Sequence, residues 1–158
     1  MTKIIKTNVI REIESKNIFY NAFTYPADGS LSAAEVAEKI GKPESQVFKT
    51  LVTISKSKNI NVFVVPANRE LDLKAAANVA KEKSVSMLPL KDLFNKTGYV
   101  HGGCSPIAMK RSYNTFIDES ANNYDSIIVS AGKIGIQIEL KLEDLIKLTN
   151  AKLEEISK

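Results

Sequence analysis

The sequence has little of what disulfides, zinc sites and membrane spans require. It contains one cysteine, Cys104, one histidine, His101, and no tryptophan. A single cysteine cannot form an intrachain disulfide, and one cysteine with one histidine falls short of the ligand set that zinc needs. No run approaches the roughly 18 continuous apolar residues of a membrane-spanning helix. The composition therefore excludes a disulfide scaffold and argues against a structural metal and a membrane protein.

The remaining composition is typical of one globular domain. The 158 residues are 44% hydrophobic and 25% charged, and no repeat or Pro/Gly/Ser-rich linker divides them. We therefore expect a single domain over residues 1–158. The segment 1–7 is too polar for a secretory signal, which predicts a cytoplasmic location. The formal net charge of +4 permits contact with a polyanion without demanding it.

Helical and extended patterns alternate along the chain. The spacing predicts helices over 7–16, 32–41, 72–83, 89–98 and 142–149, and strands over 18–25, 47–55, 60–65, 85–88, 113–117, 126–130 and 136–140. Ser32 and Glu35 form a capping box at the start of one helix, and Gly41 is typical of its end. Interleaved strands and helices with several hairpins predict an α/β fold. We expect a curled, mixed and largely antiparallel sheet or barrel with helices packed outside.

Lys49 stands in an otherwise apolar strand. Strand alternation places it on the same face as Val47 and Leu51. If that face is covered, the ammonium needs an anionic partner, an acceptor-rich cavity or a ligand, because an unpaired buried charge is costly. If the strand lies at an edge, the lysine can reach water along its own apolar stem. The pattern alone leaves both interpretations open.

A glycine-rich loop covers residues 98–106. Gly102 and Gly103 let the backbone come close to a ligand, and Pro106 restricts the exit of the loop. Such a loop can direct N–H groups at a developing oxyanion, where one donor contributes about 10²- to 10³-fold in rate. It can equally be a structural turn. The second glycine segment, 130–135, is typical of a hairpin turn in which Ser130 or Gly132 can line a pocket.

Cys104 and His101 are close in sequence, but we do not expect them to form a nucleophile and its base. Such a pair needs the imidazole to be oriented toward the sulfur by a third group, and a glycine-rich loop gives no assurance of that geometry. Ser105, directly before Pro106, is another candidate nucleophile. A hydroxyl in this place more often bonds to the backbone of its own loop.

Three separated segments, taken together, resemble one family. They are 47–52, 98–107 and 128–133, and their order and spacing resemble those of the YbaK/EbsC aminoacyl-tRNA deacylases. That family is similar to the editing (insertion) domain of bacterial prolyl-tRNA synthetase. The resemblance extends over nearly the whole chain. It implies a single editing-type domain with a curled mixed sheet flanked by helices, and a hydrolase that needs no metal and no other cofactor.

The resemblance also implies a set of site residues. The central lysine of the family matches Lys49, which we expect to act in catalysis by stabilising charge near the ester and ribose oxygens. The family's loop pattern G-x-x-x-P matches residues 102–106. The expected substrate-binding residues are Tyr25, Thr50, Gly102, Gly103, Ser105, Pro106, Ser130 and Gly132.

The activity implied by the resemblance is hydrolysis in trans of the ester of mischarged Cys-tRNA(Pro). The family is thought to use the thiol of the substrate, which attacks the ester carbonyl in a lyase-like cyclisation and releases the tRNA. Thr50 and Ser130 favour the cysteine type, because members that remove alanine usually carry asparagine after the lysine and a histidine near the position of Ser130. The implied partners are aminoacylated tRNA(Pro) and prolyl-tRNA synthetase.

Two positions depart from the family pattern. Ala108 stands where glycine is common, and Ala131 replaces a glycine of some members. Each adds one methyl group and can narrow a pocket. Two alternatives therefore stay open: a deacylase for another small amino acid, as in Ala-tRNA(Pro), and a noncatalytic module that binds tRNA or the synthetase through basic residues.

Overall fold

The computed structural model describes residues 6–158, so most of the polar amino-terminal segment 1–7 lies outside the described residues. Five α-helices occur within 6–158: α1 (Asn8–Ser15), α2 (Ala33–Ile40), α3 (Leu73–Val79), α4 (Leu90–Thr97) and α5 (Leu142–Thr149). The strands are β1 (Tyr20–Thr24), β2 (Phe48–Ser55), β3 (Ile60–Pro66), β4 (Val85–Met87), β5 (Asn114–Asp118), β6 (Ser126–Lys133), β7 (Ile136–Lys141) and β8 (Lys152–Glu154). A short 3-10 helix, Glu119–Asn123, follows β5.

The strands form two sheets, with the orders β1-β7-β6 and β4-β2-β3-β5-β8. The pairings of β3 with β5 and of β5 with β8 are parallel, and the other pairings are antiparallel. An isolated parallel bridge from Val47 to Ile128 connects the two sheets. The predicted α/β class and the predicted hairpins β2–β3 and β6–β7 are confirmed, and neither sheet closes into a barrel within the described residues.

Local signals set the ends of α2 as predicted. The Ser32 side chain accepts a hydrogen bond from the Glu35 N–H, and the Glu35 carboxylate accepts one from the Ser32 N–H, which satisfies two free donors at the helix start. Gly41 ends the helix with φ 71°, a left-handed conformation that glycine adopts at little cost. Ala33 and Val36 of this helix line a cavity next to β2.

Helix α3 is shorter than predicted. It ends at Val79 instead of near Lys83, because Lys81 adopts φ 58° and the Glu82 N–H donates to the carbonyl of Ala77 at 2.8 Å. A left-handed residue with this backward bond terminates a helix. Since lysine occupies the place where glycine is usual, the sequence carries no stop signal there. The strand β8 and the 3-10 helix were not predicted either.

The main hydrophobic core combines side chains of both sheets. Phe48 and Val52 of β2 pack in one cluster with Ile127 and Val129 of β6. The opposite face of the five-stranded sheet, including Phe63, packs in a second cluster with the alanines of α3. A third cluster under α2 contains Ala37, Val47 and Ile128. Both faces of the central strands are therefore covered.

No helix within residues 6–158 is long and apolar enough to cross a membrane.

Strand β2 is only partly enclosed by its sheet. It pairs with β3 along its length, from Phe48 to Ile54. On its other side it pairs with β4 at Thr53 to Ser55, and the Leu88 N–H donates to the Val52 carbonyl at 2.9 Å. The first half of β2, which contains Lys49 and Thr50, therefore has an edge to which a ligand can come close.

Candidate active site

A cavity of about 520 Å³ lies along this edge of β2. Its volume is within the range of about 300–1,000 Å³ that small-molecule sites occupy. Residues of β2, the three-stranded sheet, α2, α4 and the glycine-rich loop surround it. The apolar lining residues are Leu31, Ala33, Val36, Val47, Phe48, Leu51, Val52, Met87, Leu88, Leu90 and Leu93. The cavity thus has mostly apolar walls with a few polar groups, which is the usual make-up of a ligand site.

The structure brings five of the predicted site residues together. Tyr25, Lys49, Thr50, Gly102 and Ser130 all line this cavity. They come from the end of β1, from β2, from the glycine-rich loop and from β6, so their meeting depends on the packing of the two sheets.

The other four predicted residues, Gly103, Ser105, Pro106 and Gly132, lie outside the cavity lining. Ser105 is fully buried, and its hydroxyl accepts a hydrogen bond from the Ile107 N–H at 3.2 Å. Gly132 donates its N–H to the Ser130 hydroxyl at 3.1 Å. These contacts hold the residues next to the cavity in place and suit supporting roles.

Lys49 is partly buried beside the cavity. Burial lowers the pKa of its ammonium group, and the carboxylate of Glu70 opposes this effect. Within residues 6–158, Lys49 forms no salt bridge. Lys49 thus combines a partly buried position in the cavity lining with the absence of a salt bridge among the described residues.

Cys104 lines the cavity but is only 9% exposed. Burial raises the pKa of its thiol to about 12, although a hydrogen bond with Thr97 acts in the opposite direction. The thiol is therefore protonated at neutral pH, and a protonated thiol is a poor nucleophile. His101 lines the same cavity and is exposed to solvent. No group of three or more His, Cys, Asp or Glu side chains within 6–158 is arranged to hold a metal ion.

Gln137 is a cavity residue that the sequence analysis missed. It lies in β7 between Ile136 and Ile138, where alternation predicts a solvent-facing polar side chain, yet it is only 7% exposed. The signal that could have identified it is its position directly opposite Ser130 in the β6–β7 hairpin. Directly opposed residues share a face of the sheet, so a pocket role for Ser130 places Gln137 on the same side.

The two departures from the family pattern lie outside the cavity lining. Ala108 is exposed and has φ 58°, the left-handed conformation in which glycine is favoured. Ala131 is fully buried in β6. Their extra methyl groups are therefore not among the groups that line the cavity.

The comparisons with known proteins agree with this architecture. The model of the aminoacyl-tRNA editing domain family matches residues 27–148. A protein of Enterococcus faecalis named "Putative Cys-tRNA(Pro)/Cys-tRNA(Cys) deacylase EbsC" is 46% identical over 153 residues, which cover 96% of this chain and 93% of that protein.

Two solved structures share the fold at low sequence identity. A crystal structure of "a putative trans-editing enzyme for prolyl tRNA synthetase" has a TM-score of 0.84 and 19% identity, and the match covers 99% of each chain. A crystal structure of "hypothetical protein APE2540" has a TM-score of 0.85 and 20% identity, and the match covers 96% of this chain and all of the other. At these identities the likeness establishes the fold alone.

Proposed function

The chain belongs to the aminoacyl-tRNA editing domain family, and on this premise we propose that it is a deacylase that removes cysteine from Cys-tRNA(Pro) in trans. The relative at 46% identity has Cys-tRNA(Pro) in its name. The observation that carries the proposal is that one cavity gathers Lys49, Thr50 and Gly102 beside apolar walls. A small aminoacyl ester needs such a combination of an apolar enclosure and a few polar contacts. In this proposal residues 1–158 act as one domain in the cytoplasm.

Lys49 stabilises negative charge in the proposed reaction. Lys49 lines the cavity, and its ammonium is partly withdrawn from water, so it interacts more strongly with an oxyanion than an exposed lysine does. Gly102, in the left-handed conformation with φ 89°, brings bare backbone to the same cavity. The residues Gly103, Ser105 and Pro106 hold this loop in position. Tyr25, Thr50 and Ser130 contact the substrate, and Gly132 fixes the Ser130 hydroxyl.

The nucleophile in the proposed reaction is the thiol of the substrate. Its sulfur bonds to the ester carbonyl carbon, the bond from that carbon to the ribose oxygen breaks, and the thiol proton goes to the released ribose oxygen. The product is a cyclic thioester, which water opens to free cysteine. Because attacking and attacked atoms belong to one molecule, the reaction gains a high effective molarity. The protein has only to hold the reactive conformer and stabilise the oxyanion.

The chemistry of Cys104 supports this assignment of the nucleophile. Its thiol lines the cavity, but burial raises the pKa of the group to about 12. An enzyme thiol that attacks esters needs a lowered pKa or an adjacent base. The substrate thiol, in contrast, enters the site already linked to the ester. We therefore assign Cys104 to the wall of the cavity.

We propose that tRNA choice depends on prolyl-tRNA synthetase. The cavity can enclose an aminoacyl group, but it is too small to contact more than the 3′ end of a tRNA. The name of the Enterococcus relative includes Cys-tRNA(Cys) beside Cys-tRNA(Pro). Both observations favour a domain that recognises the amino acid and relies on a partner to select the tRNA.

A deacylation assay with purified protein tests the proposal. Cys-tRNA(Pro), Ala-tRNA(Pro) and Ser-tRNA(Pro) are compared at equal concentrations, and the loss of the ester is followed. Thiol-assisted release predicts rapid hydrolysis of the cysteine ester and at least about a 100-fold lower rate for the serine ester, which differs by one atom. The threshold corresponds to about 2.7 kcal/mol of transition-state stabilisation.

The other outcomes of this assay are equally informative. Preferential hydrolysis of Ala-tRNA(Pro) would identify an alanine deacylase. Binding of all three tRNAs without loss of the ester would identify a noncatalytic module. Equal hydrolysis of the cysteine and serine esters would show that the substrate thiol is not the nucleophile.

A further inference from the structure

Gln137 has an unusual environment for a glutamine. It is the central residue of a row across the three-stranded sheet, with Phe23 of β1 opposite on one side and Ser130 of β6 on the other. It is 7% exposed and lines the cavity together with Ser130. Its strand neighbours Ile136 and Ile138 are also buried. A buried polar side chain therefore lies beside Ser130 at the wall of the cavity.

The carboxamide oxygen of Gln137, Oε1, has no hydrogen-bond partner in the described part of the chain. A buried acceptor left without a hydrogen-bond partner destabilises the folded protein, because it has lost its bonds to water and gained none in return. The hydroxyl oxygen of Thr50, another residue of the cavity lining, is also buried without a hydrogen-bond partner among residues 6–158. Both residues line the cavity but both oxygens are covered, so a ligand can supply the missing hydrogen bond to Gln137 once its amide turns toward the cavity.

The donor and acceptor groups of an aminoacyl ester determine which of them can form a hydrogen bond with the Gln137 carboxamide oxygen. The ester and ribose oxygens are acceptors that suit the ammonium of Lys49. The α-ammonium group of the amino acid is a cationic donor, which Lys49 repels and a carboxamide oxygen accepts. The terminal torsion of a glutamine is soft, so the amide can turn its oxygen toward the cavity at little cost.

We propose that Gln137 binds the α-ammonium group of the aminoacyl substrate and so makes the site selective for esters with a free amino group. This inference rests on the proposed deacylase function and adds a specificity-determining residue to it. Lys49 and Gln137 belong to different sheets and line one cavity. The substrate is therefore oriented by two contacts: Lys49 binds its ester and ribose oxygens, and Gln137 accepts a hydrogen bond from its α-ammonium group.

The selectivity has a consequence for the substrate class. An ester whose nitrogen carries an acyl group, as in a peptidyl-tRNA, has lost the positive charge and part of the donor capacity that Gln137 requires. Such an ester leaves the buried oxygen without its partner, and sites of this kind reject the deficient analogue strongly. The proposed site therefore hydrolyses N-acylated esters much more slowly than esters with a free amino group.

The experiment compares two esters that differ only in the amino group: Cys-tRNA(Pro) and 3-mercaptopropionyl-tRNA(Pro). Both keep the thiol, the carbonyl and the tRNA. We expect the wild-type protein to have at least about a tenfold higher kcat/KM for the cysteine ester, a difference of about 1.4 kcal/mol. Gln137→Met, which keeps the length of the side chain and removes the amide, should reduce this ratio to about 1 through a lower rate on the cysteine ester alone.

Two further variants distinguish a role of Gln137 in substrate binding from a role in the stability of the fold. Gln137→Glu keeps an acceptor at the same place, and we expect it to retain the preference for the cysteine ester. Gln46→Met is the matched control, because Gln46 lies outside the cavity lining and donates to the Ser126 carbonyl and to Glu139. It should lower stability and leave the ratio of the two kcat/KM values unchanged.

The results distinguish this inference from the function on which it rests. If Gln137→Met lowers kcat/KM equally for both esters, or if the wild type does not discriminate between them, the inference is overturned and the deacylase stands. If the wild-type protein hydrolyses neither ester, the proposed function fails, and the inference fails with it.

Discussion

Lys49 and Glu70 interact through their charges without forming a salt bridge in the described part of the chain. Burial lowers the pKa of Lys49, and the exposed carboxylate of Glu70 acts in the opposite direction. The lysine thus lines the cavity as a partly desolvated cation, because the effect of burial on its pKa exceeds that of Glu70. Such a group is costly for the fold and useful to a reaction that develops negative charge.

Replacing Lys49 with methionine should separate these two effects. The change keeps the apolar stem and removes the charge, so hydrolysis of Cys-tRNA(Pro) should fall at least about tenfold. The melting temperature should rise, because the burial penalty of the ammonium disappears. Deacylation rates and thermal unfolding measure the two effects. The exposed residue Lys56 provides the control, since Lys56→Met should change neither quantity appreciably.

The same substitution should change how stability depends on pH. Because the pKa of Lys49 is lower in the folded protein than its ordinary value of 10.5, the unfolded chain binds more protons between these two values. The lysine's contribution to stability therefore rises as pH increases through that window. In Lys49→Met this rise should be absent. An identical pH profile in both proteins would contradict the burial of the charge.

Glu70→Gln should shift the alkaline side of the pH–rate profile. Without the carboxylate, the pKa of Lys49 falls further below its ordinary value, so the ammonium is lost at lower pH. If this ammonium stabilises the oxyanion, the decline of kcat/KM moves to lower pH as well. The shift should shrink at high salt, because Glu70 is exposed and its field is screened. Glu44→Gln, at another exposed carboxylate, should leave the profile in place.

Much of the fold could be predicted from the sequence because the signals are local. The capping box of Ser32 and Glu35 and the stop at Gly41 depend on residues within one or two turns of each other, and the structure has all three. The end of α3 could not be predicted, because Lys81 adopts a left-handed conformation that its residue type does not favour. The short strand β8 is defined by its parallel pairing with β5, which is distant in sequence.

The candidate site shows the same division between local and long-range information. The alternation in β2 identified Lys49 as exceptional, but only the position of β4 and the cavity decide what the lysine faces. In β7 the alternation was misleading, because both faces of the strand are covered and Gln137 is buried with its neighbours. A periodicity of two predicts exposure only when one face of a strand meets water.

Cys104→Ala should retain deacylase activity within about a factor of two. The thiol is protonated at neutral pH, since burial raises its pKa to about 12, and the attacking sulfur in the proposed reaction belongs to the substrate. Single-turnover hydrolysis of Cys-tRNA(Pro) measures the effect. Slow alkylation of Cys104 by iodoacetamide in the native protein would verify its low reactivity. A folded but inactive Cys104→Ala protein would make Cys104 the nucleophile.

Gly103→Ala should displace the glycine-rich loop. A Cβ atom at Gly103 would lie 3.0 Å from the Ile134 N atom and 3.2 Å from the Lys133 carbonyl carbon. These are backbone atoms of the β6–β7 turn and cannot move aside as the end of a side chain can. We expect a loss of about 1–3 kcal/mol in the free energy of unfolding. Because Gly102 lines the cavity next to this contact, activity on Cys-tRNA(Pro) should fall as well.

The matched control for this substitution is Gly41→Ala. A Cβ atom at Gly41 meets nothing within 4 Å, although its φ of 71° disfavours alanine. This variant should therefore lose about 1 kcal/mol from backbone strain and keep full activity, because the change is remote from the loop. Urea denaturation measures both losses, and deacylation assays below the unfolding transition measure activity. If Gly103→Ala matches the control in activity, close packing of the loop against the β6–β7 turn is not needed to shape the site.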